Sequence, residues 1–141
     1  LSADTSRTMR RLMRLVVEHG TGGKADARGY RVGGKTGTAD KLANGHYSTD
    51  ANIASFVGAF PMDDPRYVIF AMLDEPKGHE GTYGHATGGW VAAPLVRRVV
   101  ARTAGVLNVP PRPPANTPDK ANHPLLLEAR ANGEDGNVAA H

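Results

Sequence analysis

One stretch of the chain combines residue types that can hold an anion and polarise a carbonyl: Gly34-Lys35-Thr36-Gly37-Thr38-Ala39. Lys35 supplies a cation. Thr36 and Thr38 stand two positions apart, so on a strand their hydroxyls project from one face and can donate together to a carboxylate. Gly37 has no side chain, which lets a ligand lie close against the strand. The Thr38 amide, turned outward from a sheet edge, can donate to an oxyanion, and such a donor is worth about 3 kcal/mol in a transition state. Lys35 lowers the cost of holding a carboxylate and keeps a proton transfer poised.

Two other readings use the same residues. Residues 29–36 fit the G-x-x-x-x-G-K-[ST] pattern of a phosphate loop, and the run 67–73 ending at Asp74 resembles a magnesium-binding strand end. A phosphate loop, however, follows a buried strand and opens a helix whose amino terminus holds the anion. Here a polar stretch, 20–28, precedes the motif, and Gly37, Asn44 and Gly45 follow it without a helical stripe. A parallel sheet would also need a crossover helix between Lys35 and Tyr67, where the sequence offers a strand and a turn. The blander reading is a surface hairpin with a solvated lysine.

The remaining chemistry-bearing residues read more simply. His79 and His85 lie near Glu75 and Glu80, but their spacing is not that of a helical ligand pair and their segment is glycine-rich, so they read as solvated loop histidines and no metal site is expected. His46 and Tyr47 follow the Lys-Thr-Gly strand and would rim a cleft or form a hairpin tip. Asp74 and Glu75 are adjacent, so on a strand they face opposite ways and make no acid–base pair. Trp90 reads as a packing anchor. The absence of cysteine excludes disulfides, thiolate catalysis and cysteine-ligated zinc.

The elements that must position the motif follow from periodicity. Met9, Leu12, Met13, Val16 and Val17 predict an amphipathic helix over 6–19, capped by Asp4 or Thr5 and stopped by Gly20. Strands are predicted over 31–41, 53–60 and 67–73, with a turn at 61–65. The second strand is apolar or small on both faces and is expected to be covered on both sides. Residues 74–89 read as a long loop, and 90–104 as a helix that tolerates Pro94 only in its first turn. Short connections favour an antiparallel sheet, and two helices on one face make an α+β layer. So small a core is expected to leave apolar surface bare. Beyond Val109 five prolines crowd together, and the tail reads as disordered, with one apolar cluster at 125–127.

The chain has 141 residues, enough for one domain, with 40% apolar residues and a net charge of +3. Arg7, Arg10, Arg11 and Arg14, and later Arg97, Arg98 and Arg102, fall at helical spacing and read as solvated faces. No aromatic residues interleave with them, which argues against nucleic-acid binding. No apolar run reaches the ~18 residues of a membrane span. Beginning at Leu1, the chain reads as a piece of a longer protein.

From Val32 onward the chain resembles class B penicillin-binding proteins, and among them the septal peptidoglycan D,D-transpeptidases of cell division. The resemblance rests on 34–39, then Ala54-Ser55-Phe56-Val57-Gly58, the turn 61–65 and the strand after it, Asp74-Glu75-Pro76-Lys77-Gly78, and Val91-Ala92-Ala93-Pro94-Leu95. The helix at 6–19 followed by Gly20-Thr21-Gly22-Gly23 fits the segment before the Lys-Thr-Gly strand as well. It covers about residues 1–107 as the carboxy-terminal part of a penicillin-binding, serine β-lactamase-like transpeptidase domain, and leaves 108–141 as a separate tail. The resemblance implies that Lys35, Thr36, Gly37 and Thr38 wall an active cleft. It implies a serine acyl-transfer enzyme that binds β-lactams and the D-Ala-D-Ala end of a stem peptide, without a cofactor, on the periplasmic side of the inner membrane. Other cell-division proteins are the implied partners. Its S-x-x-K nucleophile and S-x-N serine are missing: Ser2, Ser6, Ser48 and Ser55 have neither lysine three residues on nor asparagine two residues on. The chain alone is therefore expected to be inert. A non-catalytic peptide- or partner-binding sheet module is the alternative.

Overall fold

The computed structural model describes residues 1–43 and 45–112. Strands β1 (Gly33–Ala43), β2 (His46–Phe60) and β3 (Tyr67–Asp74) form one antiparallel sheet in the order β1-β2-β3. Helices α1 (Ala3–His19) and α2 (Gly88–Thr103) flank it. This is the predicted α+β layer.

Register sorts the side chains into two faces. Thr36, Phe56 and Ala71 align across the strands on the inner face, and Lys35, Val57 and Phe70 align on the outer face. The inner face is the core: Phe56 is fully buried, and Ala92, Ala93, Val96 and Val100 of α2 join it in one cluster. Gly34 and Gly58, paired across β1 and β2, leave room for the Phe56 ring, whose Cε1 lies 2.7 and 2.8 Å from where their Cβ atoms would stand. Coverage on both faces is not found. On the outer face Phe70 is 61% and Val68 78% exposed, although Met62, and Arg14 of α1, stand against Gly33 at one end of that face. The predicted bare apolar surface is this face.

The helix ends differ from the periodicity in instructive ways. α1 starts at Ala3, and its cap is Ser2, whose Oγ accepts the Thr5 amide at 3.1 Å, so neither Asp4 nor Thr5 caps it. Gly20 closes it, its N–H donating to Val16 at 3.1 Å. Arg14 does not lie on a solvated face. Its guanidinium is 14% exposed and donates to Glu18 (2.9 Å), to Asp26 (2.8 Å) and to the Val32 carbonyl (2.6 Å), tying α1 to the segment that enters β1. α2 starts at Gly88, which places Pro94 in its second turn, where it offers no N–H to the Trp90 carbonyl.

β2 begins at His46, well before the predicted strand. The β1–β2 hairpin therefore overhangs β3, whose last rung pairs Ile53 with Asp74. The register breaks there: Asp40 pairs with Asn52, but Leu42 pairs with Tyr47. The polar run 48–50 has no apolar alternation to announce a strand. After α2, Val109 is buried, and Arg112 donates through its amide to Gly29 at 2.9 Å and through its guanidinium to Asp63 at 2.8 Å. Residues 113–141, with the cluster 125–127, lie outside the described residues.

Candidate active site

β1 lies at the edge of the sheet, and no described strand pairs with its outer side. Thr36 and Thr38 both stand on the inner face, as their spacing predicts. Each hydroxyl oxygen is already met by a donor or a partner hydroxyl. The Gly88 amide donates to Thr38 Oγ1 at 3.1 Å, and Thr36 Oγ1 lies 3.0 Å from Thr21 Oγ1. Lys35 starts on the outer face but curls round the free edge, its Nζ donating to the Thr36 carbonyl at 2.9 Å and, more weakly, to Thr36 Oγ1 at 3.4 Å. The chemical consequence is direct. An oxygen that accepts from a neighbour keeps its own proton to give. Thr38 is held in that state by Gly88, and Thr36 adopts it when Thr21 and Lys35 donate to it. Two hydroxyl donors and an ammonium then converge on one edge, which suits a carboxylate.

The helix behind the strand fixes this geometry. Gly88 is the first residue of α2, where the amide has no helical acceptor, and Thr87 at the cap position gives no side-chain bond. Thr38 supplies the acceptor from the neighbouring strand. Only glycine fits there: a Cβ on Gly88 would stand 2.3 Å from the Ser55 carbonyl oxygen and 2.6 Å from that of Gly37. The amino terminus of α2 thus abuts the motif and adds its partial positive charge to that of Lys35.

The other candidates are structural. His79 is no free loop histidine. It caps a 3-10 turn (Glu80–Thr82), its Nδ1 accepting from Gly81 at 3.0 Å. His85 stacks on Trp90 at 5.1 Å between ring centroids, Tyr83 meets the same indole edge-on at 5.7 Å, and Lys24 lies 4.1 Å over it. Trp90 is thus an aromatic anchor at the start of α2. His46 and Tyr47 are exposed on the overhanging hairpin. Among the described residues no cluster of three metal-ligating side chains occurs, and no helix is long and apolar enough to cross a membrane. The expectation that Asp74 and Glu75 point apart fails. β3 ends at Asp74, Glu75 turns with φ 48°, and both carboxylates reach Lys41 Nζ, at 3.0 and 2.7 Å. Glu75 first, then Asp74, holds the Lys41 ammonium above the ordinary lysine range.

The phosphate-loop reading fails on topology, since β1 runs on to Ala43 and turns into a hairpin where that loop would need a helix. Gly88 and Lys41 were not singled out from the sequence, where the glycine pair 88–89 at the mouth of a helix was the only signal for either, and Thr21 entered only through the resemblance.

An edge strand carrying Lys-Thr-Gly-Thr, backed by a helix over an antiparallel sheet, is the arrangement that the resemblance to penicillin-binding transpeptidase domains implies. Comparison with known proteins agrees. The family described as "Penicillin binding protein transpeptidase domain" matches residues 1–101, and the chain belongs to that family. The chain is 47% identical over 118 residues to a probable peptidoglycan D,D-transpeptidase FtsI of Caulobacter vibrioides, covering 77% of this chain and 20% of the relative. It is 43% identical over 112 residues to stage V sporulation protein D of Bacillus subtilis, covering 79% and 17%. Among solved structures, the transpeptidase domain of Burkholderia pseudomallei penicillin-binding protein 3 superposes with a TM-score of 0.67 at 41% identity, covering 84% of this chain and 33% of that one. Penicillin-binding protein 3 of Mycobacterium tuberculosis in complex with ampicillin gives 0.70 at 35%, covering 84% and 27%. The chain thus spans about a fifth of the length of the curated relatives it matches.

Proposed function

We propose that residues 1–107 form the carboxy-terminal part of the transpeptidase domain of a septal peptidoglycan D,D-transpeptidase, with Lys35, Thr36, Gly37 and Thr38 as its substrate wall. The observation that carries this is the convergence of the Thr36 and Thr38 hydroxyls and the Lys35 ammonium on one free strand edge. The terminal carboxylate of a D-Ala-D-Ala stem accepts from the two hydroxyls. The scissile carbonyl then lies along β1 with its oxygen against the Thr38 amide. A serine outside this chain attacks the carbonyl carbon, the developing negative charge is held by that amide, and the C–N bond breaks. The terminal D-Ala leaves with a proton on its amine. The acyl ester passes to the amine of a second stem peptide and the serine is restored. A β-lactam carries a carboxylate beside a reactive amide and enters by the same contacts. The similarity to these D,D-transpeptidases supports a role for the complete protein in cell-wall synthesis at division, at the inner membrane with this domain in the periplasm.

Fluorescent-penicillin labelling tests the proposal. The protein with its upstream region labels covalently, and the 141-residue chain alone does not. A folded complete protein that takes no label leaves a peptide- or partner-binding sheet module as the account.

A further inference from the structure

The β1–β2 hairpin leaves the sheet immediately after the substrate wall. Its last regular rung beside β3 is Ala39 with Ile53, and residues 40–43 and 46–52 project beyond the end of β3. The overhang bears an exposed apolar rung, Leu42 paired with Tyr47, 67% and 76% exposed. Leu42 is four residues beyond Thr38 on the same strand, about 13 Å along it at ~3.3 Å per residue. A projecting two-stranded ribbon is marginally stable unless something holds it.

Two ties bind the overhang to the end of β3. One is a backbone bond, the Glu75 amide donating to the Asn52 carbonyl at 2.9 Å. The other is Lys41, whose Nζ sits between Glu75 Oε1 at 2.7 Å and Asp74 Oδ1 at 3.0 Å. Lys41 is the residue at which the ladder slips, between the Asp40 and Leu42 rungs. The ion pairs therefore act where the backbone ladder is weakest. The left-handed turn at Glu75 swings its carboxylate to the same side as that of Asp74.

We propose that Lys41 is a positioning residue: its ion pairs with Asp74 and Glu75 latch the overhang to the end of β3 and hold the Leu42–Tyr47 rung at the mouth of the substrate cleft. This rests on the function proposed above. With the latch closed, the apolar rung extends the wall that receives the peptide. With it open, the rung swings away while Lys35, Thr36 and Thr38 stay fixed by Thr21 and Gly88. Binding weakens and the chemical step is left alone.

The test uses the complete transpeptidase and two readouts. In acylation by a fluorescent penicillin, Lys41→Met raises the dissociation constant of the initial complex about 3- to 10-fold, as expected for two partly exposed ion pairs, and leaves the acylation rate at saturation within about 2-fold. Lys41→Arg restores binding. Salt at about 1 M weakens wild-type binding towards the Lys41→Met level and barely affects the variant, because exposed ion pairs are screened. Spin labels at His46→Cys on the hairpin and Arg97→Cys on α2, with any other cysteine of the complete protein replaced, give a distance distribution that broadens in Lys41→Met. The salt series and Lys41→Arg serve if Lys41→Met folds poorly. An unchanged distance distribution, unchanged binding, or a fall confined to the saturating rate overturns the latch. A wild-type protein that is folded but never acylated overturns the function proposed above, and the latch with it.

Discussion

Replacing Thr38 by valine removes one oxygen at almost constant volume. The loss is felt by α2 before it is felt by any ligand. The Gly88 amide donates to Thr38 Oγ1 at 3.1 Å, belongs to the first helical residue, and has no alternative acceptor from Thr87. Gly88 is buried, so solvent does not take over the bond. Leaving one such amide unsatisfied costs about 1–3 kcal/mol. Thr38→Ser keeps the oxygen and loses only a methyl on an exposed residue, for a cost of a few tenths of a kcal/mol. Urea unfolding of the complete transpeptidase, followed by a probe in this domain, measures both. The valine variant should lose about 1–3 kcal/mol and the serine variant almost nothing. Penicillin acylation should follow the same order, because valine also removes a donor to the carboxylate. A valine variant as stable as wild type refutes the claim that Thr38 caps α2. Equal losses in valine and serine would assign the effect to the methyl group.

Three further outcomes follow from the same geometry. Gly88→Ala drives a methyl into the Ser55 and Gly37 carbonyls, at 2.3 and 2.6 Å, so α2 must retreat from the wall; stability should fall by about 1–3 kcal/mol, read by denaturant unfolding, and acylation should slow with it. At Gly37 an added Cβ meets only Ser55 Oγ, at 2.7 Å, which can rotate away, so Gly37→Ala should barely change the unfolding midpoint yet slow acylation about 10-fold by crowding the ligand's path. Lys41 has a raised pKa in the folded state, through Glu75 first and Asp74 second. Its stabilising contribution is full below the ordinary lysine value of about 10.4 and is lost as pH rises through the raised value. The melting-temperature gap between wild type and Lys41→Met should therefore be constant from neutral pH to about pH 10 and close only at higher pH.

Much of the site was legible because it depends on short spacings. That Thr36 and Thr38 share a face is a consequence of the two-residue strand period, and the glycines around them rule out a helix. The β3 partner strand showed itself through an apolar run after a Pro-Met-Asp-Asp-Pro turn. What escaped depends on contacts between distant residues. Nothing local says that Gly88 will donate to Thr38, fifty positions away, or that Lys41 will gather two carboxylates from the end of another strand. Asp74 and Glu75 were misjudged because strand alternation was carried one residue past the end of the strand, where φ changes sign at Glu75. The start of β2 was missed because its first rungs, Tyr47 with Leu42 and His46 with Ala43, precede a polar run, 48–50, that has no pattern of its own. Arg14 looked solvated because its helical spacing is that of a surface, and only the fold brings Asp26 and the Val32 carbonyl to it.

The central claim is that β1 is the wall that receives a carboxylate beside an acylating serine. The second-order rate of acylation of the complete protein by penicillin, wild type against Lys35→Ala, tests it most directly. Lys35 Nζ bridges the Thr36 carbonyl and hydroxyl at 2.9 and 3.4 Å, so its removal takes away both the charge and the group that orients Thr36. The account predicts a fall of about 100-fold or more, the scale of losing one preorganised electrostatic contact. A folded Lys35→Ala protein acylated within about 2-fold of wild type would contradict it.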